Sequence, residues 1–345
     1  MQSKQTRAAV LYGPGDLRIE SRDVREPEAD ELVLQVTVSG ICGTDLHYWD
    51  GWQFDSWFPE RSDPWIPGHE FTATVQAVGP AVHDLKPGDA VAVEPNNSCE
   101  DCPECDRGML NFCSNRMPMA WGAWSDVVIA NRHHLTPLPP GADMRTSSLA
   151  EPLACVVRGF DRVTVNPGDT VFIAGAGPIG LLALEVAKHQ GAGHTIVSEP
   201  GATRRKLAAT LGADVVLDPR RDDPVEAARS LTQGFGADLA IEAAGAGPAF
   251  QACLDTVRDS GTVLVISVGN PSEKFELRLY DFFARERTIV GSNTRVHTFE
   301  RALDLIPELN VEPIITHTFD LNDAVEAVMT AKSGAGAKVV FDFRS

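Results

Sequence analysis

Across residues 7–150, short apolar runs alternate with Gly and Pro turns. "ELVLQVTVSG" (31–40), "EFTATVQAVG" (70–79), "DAVAVEP" (89–95) and "SDVVIANRHHLTPLP" (125–139) read as strands. Helical periodicity is scarce there, so this half is expected to form a β-rich, partly closed barrel with long loops. The pattern changes near residue 165. "DTVFIAGAGPIGLLALEVAKHQGA" (169–192) reads as a strand, a glycine turn and an apolar helix. Strand "HTIVSEP", helix "TRRKLAATLGA", strand "DVVLDP", helix "PVEAARSLTQGFGA", strand "DLAIEAAG", helix "AFQACLDTVRDSG" and strand "TVLVISVG" continue it. Such alternation with Val/Ile-rich strands predicts a parallel sheet covered on both faces. "FERALDLIPEL" and "DAVEAVMTAKSG" then read as helices and "AKVVFDF" as a closing strand, which could return to the first half.

Composition narrows the function classes. At 345 residues two domains are expected. The formal net charge of −18 argues against a nucleic-acid binder, which needs a basic face, and against docking on anionic membranes. The N-terminus lacks a signal-peptide core, and no run approaches the roughly 18 apolar residues of a membrane span. A cytoplasmic location with reduced thiols is therefore expected.

Gly175, Gly177 and Gly180 form G-x-G-x-x-G between a strand and a helix, and Glu199 closes the next strand. This is the dinucleotide fingerprint. Gly175 allows the tight turn, Gly177 admits the pyrophosphate, and Gly180 lets the helix pack on the strand. Pro178 and Ile179 open the helix whose free N–H groups would face the phosphates, and Val268 is a further cofactor-binding candidate. Glu199 would accept from the adenosine ribose hydroxyls and repel a 2′-phosphate, favouring NAD over NADP. Arg204 and Arg205 could soften that preference.

Four of seven cysteines, Cys99, Cys102, Cys105 and Cys113, follow C-x2-C-x2-C-x7-C. Such spacing favours one tetrahedral zinc over disulfides or an iron–sulfur cluster. Four thiolates leave no open position, so the site is expected to be structural. Cys155 and Cys253 read as buried core residues. Cys42 in "GICGTDLHYW", His69 and Glu70 in "IPGHEF", and Glu151 in "LAEPLACV" each have a bland reading as core or helix-start residues. Together they are a donor set that a catalytic zinc uses.

The pieces "GICGTDLH", "PGHEF", "VGPAVHDLKPGDAVAVEP", the four-cysteine lobe, "AEPLACV" and "GAGPIG" run in one order. In this order the chain resembles a zinc-dependent medium-chain dehydrogenase of the alcohol, polyol and threonine dehydrogenase family, nearest its polyol branch. The resemblance implies an α/β protein. A GroES-like β-rich catalytic domain would span residues 1–157 and 297–345, with a structural zinc lobe at about 95–115. A Rossmann doubly wound parallel-sheet domain would span 158–296. Cys42 and His69 resemble catalytic-zinc ligands, Glu70 an acid that ligates directly or through water, and Glu151 an exchangeable fourth ligand. Thr44 matches the hydroxyl that hydrogen-bonds the substrate oxygen, and His47 the end of the proton relay. The implied reaction is reversible NAD-linked oxidation of a secondary alcohol (polyol, sugar, cyclitol or amino alcohol) with two zincs per chain. The implied partners are a small polar alcohol or ketone and further copies of the chain, as a tetramer or dimer. The alternatives are a threonine-type 3-hydroxy amino acid dehydrogenase, a zinc-free quinone or enoyl reductase, and a non-catalytic NAD-binding protein on this fold.

Residues 48–65 hold four of six tryptophans. Tyr48, Trp49 and Trp52 are substrate-wall candidates, and Asp50, Asp55, Glu60 and Asp63 add acidity suited to a sugar, cyclitol or amino alcohol. Near Gly291 the chain departs from the sorbitol dehydrogenase pattern by lacking a pocket arginine, though Arg295 is close by.

Overall fold

The computed structural model describes residues 4–52, 64–95 and 98–344. The chain divides into two compact units. Unit 1 comprises residues 1–151, 315–333 and 338–345; unit 2 comprises 152–314 and 334–337.

Unit 1 begins with an antiparallel hairpin of β1 (Lys4–Gly13) and β2 (Asp16–Val24). It continues with β3 (Glu31–Gly40), β4 (Glu70–Val78), β5 (Ala90–Val93), β6 (Val127–Asn131) and β7 (Leu135–Pro137). Leu32, Leu34 and Val36 of β3 pack with Phe71, Ala73 and Val75 of β4 and Val91 and Val93 of β5. These positions follow the period-two pattern, and each fully buried Leu, Val or Phe contributes roughly 1.5–3 kcal/mol. The stretch 125–139, expected as one strand, is two. A 3-10 turn, Arg132–His134, separates β6 from β7, and the Asn131 side chain accepts from the His133 N–H. That local side-chain bond interrupts the ladder.

Unit 2 contains β8 (Thr170–Ala174), β9 (His194–Ser198), β10 (Val215–Leu217), β11 (Ala237–Glu242), β12 (Val257–Val265) and β13 (Thr288–Gly291). Among the described residues they form a parallel sheet in the order β10-β9-β8-β11-β12-β13. This is the doubly wound order, with its switch between β8 and β11. The helix expected over 249–261 spans Gly247–Thr256, and Val257 onward belongs to β12. Cys253 is fully buried, as expected, but Cys155 is only half-buried.

The chain returns to unit 1 through β14 (Ile315–Phe319), the helix Ala324–Ser333 and β15 (Lys338–Asp342). The unit 1 sheet then runs β14-β15-β3-β4-β5-β7, with β6 also on β3. Antiparallel register sets Val340 of β15 and Glu70 of β4 both opposite Gly40 of β3. Val339 and Phe341 join Ala9, Leu11, Leu17 and the fully buried Trp124 in a second core. That core fixes β15, and with it Lys338, beside the end of β3. Among the described residues, no helix is long and apolar enough to cross a membrane.

Candidate metal and cofactor sites

The four lobe cysteines converge. All four sulfurs lie within 4.8 Å of one another. The Cys102–Cys105, Cys113–Cys99 and Cys102–Cys113 sulfurs are 3.4, 3.5 and 3.7 Å apart. A disulfide needs about 2.0 Å. A tetrahedron with Zn–S arms of about 2.3 Å places its sulfurs roughly 3.8 Å apart. The lobe therefore fits a four-thiolate zinc. Local structure arranges it: Cys105 lies in the short helix Pro103–Asp106, and the Arg116 guanidinium donates to the Asn111 and Cys113 carbonyls. The Cys105 N–H bond draws the Cys102 thiol down to about 6, and burial pushes Cys105 up to about 12.

A second donor group joins Cys42, His69 and Glu70, again within 4.8 Å of one another. Cys42 caps the helix Gly43–Trp49, and its sulfur accepts from the Thr44 N–H at 3.5 Å. Glu70 opens β4, and His69 precedes it. Asp45, whose side chain is fully buried, ties these segments together. Its carboxylate accepts from the Cys42 N–H at 2.9 Å and the Gly68 N–H at 3.3 Å, and lies 3.5 Å from His69 Nδ1. Orienting a histidine through one ring nitrogen leaves Nε2 as the donor. Burial opposes protonation of His69, but Asp45 and Cys42 outweigh it and hold its pKa well above the usual value. Burial, then Glu70, raises the Cys42 thiol. Burial also raises Glu70, with Glu151 adding to the rise and Lys338 opposing it. Clustered thiol and carboxyl groups that resist ionisation next to one another are what a bound cation relieves. Glu151 stands outside the converging trio while contributing this potential, and it lies early in the helix Ala150–Phe160.

In unit 2 the glycine turn follows β8 at the switch point. Gly175 has φ +106°, and a Cβ at Gly180 would lie 2.0 Å from the Gly175 carbonyl oxygen. Both positions therefore require glycine. Gly177 caps the helix Pro178–His189, with Pro178 at its first turn and Ile179 half-buried behind it. Glu199 follows β9, and its carboxylate accepts from the Ala176 N–H at 2.8 Å and the Gly201 N–H at 2.7 Å. Val268, past the end of β12, is 50% exposed. This arrangement fits a nicotinamide dinucleotide.

The family model described as a zinc-binding dehydrogenase matches residues 178–308, and that of the alcohol dehydrogenase GroES-like domain matches 28–140. Sorbitol dehydrogenase of Pongo abelii is 35% identical over 341 residues, covering 96% of this chain and 94% of the relative. The chain belongs to the zinc-binding medium-chain dehydrogenases. Among solved structures, a Sinorhizobium meliloti protein described as a zinc-binding dehydrogenase bound to NADP superposes with TM-score 0.91. It shares 31% identity and matches over 98% of this chain and 99% of its own. The 2R,3R-butanediol dehydrogenase of Bacillus subtilis gives TM-score 0.87 at 27% identity, over 98% and 99%. As a family member the chain has a structural four-cysteine zinc site and a Cys/His/Glu catalytic zinc site.

Two contributors in this dehydrogenase escaped the sequence reading. Asp45 stood inside the quoted "GICGTDLH", and its place three residues after a candidate ligand at a helix start was an available signal. Lys338 gave none. It is 2% exposed, pairs with Glu70, and donates to the Ile41 carbonyl at 3.0 Å. The aromatic candidates separate. Trp52 stacks on His47 at 4.0 Å and 5°, Trp49 packs on the second core of unit 1, and Tyr48 meets Trp65 edge-on at 5.1 Å. Asp50 pairs with Lys332, whereas Asp55, Glu60 and Asp63 lie outside the described residues. Arg295 is buried in unit 2, between the left-handed residues Thr294 and His297.

Proposed function

We propose that this dehydrogenase oxidises a secondary hydroxyl of a polyol, sugar, cyclitol or amino alcohol to the ketone, reversibly and with NAD. Its family acts on alcohols and polyols. The observation carrying the reading is the convergence of Cys42, His69 and Glu70 at the head of the helix that bears Thr44 and His47. Bound zinc supplies a Lewis acid that acidifies the alcohol, and the nicotinamide supplies the hydride acceptor. Cys42, His69 and Glu70 hold the metal, with Glu151 as the exchangeable fourth donor. Thr44 accepts the hydroxyl proton and His47 carries it outward. Three residues apart on one helix, they share a face. Burial lowers the His47 pKa, so the imidazole is neutral at pH 7, the form that can take up a proton.

Metal analysis is expected to find two zincs per chain. An NAD-coupled screen of polyols, cyclitols, amino alcohols and 3-hydroxy amino acids is expected to show oxidation of a polyhydroxy substrate. Turnover confined to 3-hydroxy amino acids would overturn the substrate class, and a single zinc would overturn the mechanism.

The preference for NAD rests on Glu199 and on the engagement of the nearby arginines. Arg205 donates to the Glu199 and Pro200 carbonyls and pairs with Asp218 at 3.2 Å. Arg220 also pairs with Asp218, which is held well below the carboxylate range chiefly by Arg220. Arg204 donates to the Gly336 carbonyl at 2.7 Å. Glu199→Gln keeps a hydrogen-bonding oxygen but removes the charge. It is expected to raise the NADP:NAD ratio of kcat/KM roughly tenfold, about 1.4 kcal/mol. An unchanged ratio would show that Glu199 does not discriminate.

A further inference from the structure

Trp121 lies just after the cysteine lobe, in a segment pinned to the approach to His69. The Gly122 and Ala123 N–H groups donate to the Gly68 carbonyl at 3.0 and 3.2 Å, and the Trp124 N–H to the Pro67 carbonyl at 3.0 Å. The Trp121 ring centre is 4.2 Å from the His69 imidazole, tilted by 37°. Trp65 meets Trp121 at 5.4 Å and 62°, and Tyr48 meets it edge-on at 6.2 Å and 85°. Tyr48 stands on the helix that Cys42 caps. The three rings thus form one wall attached to the segments that carry Cys42 and His69.

Tyr48 and Trp65 pack in part on the second core of unit 1, and Trp121 joins them to His69. Trp124, three residues on, is 2% exposed and meets Phe341 edge-on in the core. Trp121, Trp65 and Tyr48 all remain half-buried. We propose that Trp121, backed by Trp65 and Tyr48, is a specificity-determining residue that selects cyclic polyols, cyclitols or ring-form sugars, over open-chain ones. The proposal rests on the reading of Cys42, His69 and Glu70 as the alcohol-oxidising centre. A ring polyol presents a continuous C–H face to an aromatic surface, and it has few internal rotations to freeze. An open-chain hexitol presents no such face and must order its whole backbone.

The test compares inositol and methyl glucopyranoside with glucitol and 2,3-butanediol on the zinc-loaded full chain at saturating NAD. The wild-type protein is expected to favour at least one cyclic substrate in kcat/KM. Trp121→Leu is expected to lower that value roughly tenfold or more, with the open-chain substrates changed less than about threefold, and Trp121→Phe to restore the preference. A wild-type preference for glucitol, or an equal fall on both classes, overturns the proposal. Calorimetric binding of inositol reads the wall without turnover. Weakening in Trp121→Leu supports it, and unchanged binding overturns it. Wild-type inactivity on all four alcohols would instead overturn the reading of the catalytic centre.

Discussion

Cys42→Ser is expected to reduce the zinc content from two per chain to one and to lower kcat/KM on the order of 10³-fold or more. The magnitude follows from removing a Lewis acid worth several kcal/mol of transition-state stabilisation. The substitution separates chemistry from folding because Cys42 has two jobs. Its sulfur belongs to the converging donor trio, and the same atom caps a helix by accepting from Thr44. Serine caps helices well, so the second job survives. Its hydroxyl does not replace a thiolate, so the first is lost. Asp45 would still accept from the residue 42 N–H and still orient His69. Thermal stability should therefore fall little, and NAD binding at the glycine turn of unit 2 should persist. Metal analysis, calorimetry with NAD and steady-state kinetics check the three parts. Wild-type turnover by Cys42→Ser would remove the zinc mechanism altogether.

Local chemistry was readable in the chain and distant pairing was not. The cysteine lobe and the glycine turn are short-range objects whose spacing carries their geometry. The structure brings the four sulfurs together and shows why Gly175 and Gly180 are glycines. The donor trio was readable as separate motifs joined by residue chemistry and family resemblance, without its geometry. It is the pairing of β3 with β4 that sets Glu70 opposite Gly40, close to Cys42. Lys338 was invisible because its contact with the Ile41 carbonyl spans 297 residues and depends on the register of β15. Nothing in "AKVVFDF" marks its lysine as buried rather than solvated. Trp121 carries no local signal, since tryptophan density, highest at 48–65, says nothing about which ring faces His69. The two errors of element assignment also have local causes. Asn131 caps a turn that apolar periodicity does not register, and the helix Gly247–Thr256 hands over to β12 within an unbroken amphipathic run. The arginines behind Glu199 showed the same limit, because sequence gave their positions while Asp218 and main-chain carbonyls decide what they are free to bind.

Cys105→Ser is expected to have the opposite signature: loss of the lobe zinc, a large fall in Tm, and retention of the Cys42 zinc in whatever fraction remains folded. The lobe has almost no apolar core of its own. Among the described residues of 98–113, Leu110 is the one buried aliphatic side chain, and the rest of its interior is Cys102, Cys105, Cys113, Ser98 and Asn111. A segment so poor in apolar burial depends on its metal for folding free energy. Removing one thiolate leaves three clustered sulfurs and no closed tetrahedral set. A loss of several kcal/mol corresponds to a Tm fall of roughly 10 °C in a domain of this size. Limited proteolysis should then cut within the lobe first, whereas Cys42→Ser should leave it resistant. Cys155→Ser is a useful control, because that half-buried thiol belongs to neither donor group and should leave both zincs and Tm close to wild type. One zinc and an unchanged Tm in Cys105→Ser would mean that the lobe coheres without its metal and needs another explanation for its cohesion, and two zincs would mean that Cys105 is not a required ligand.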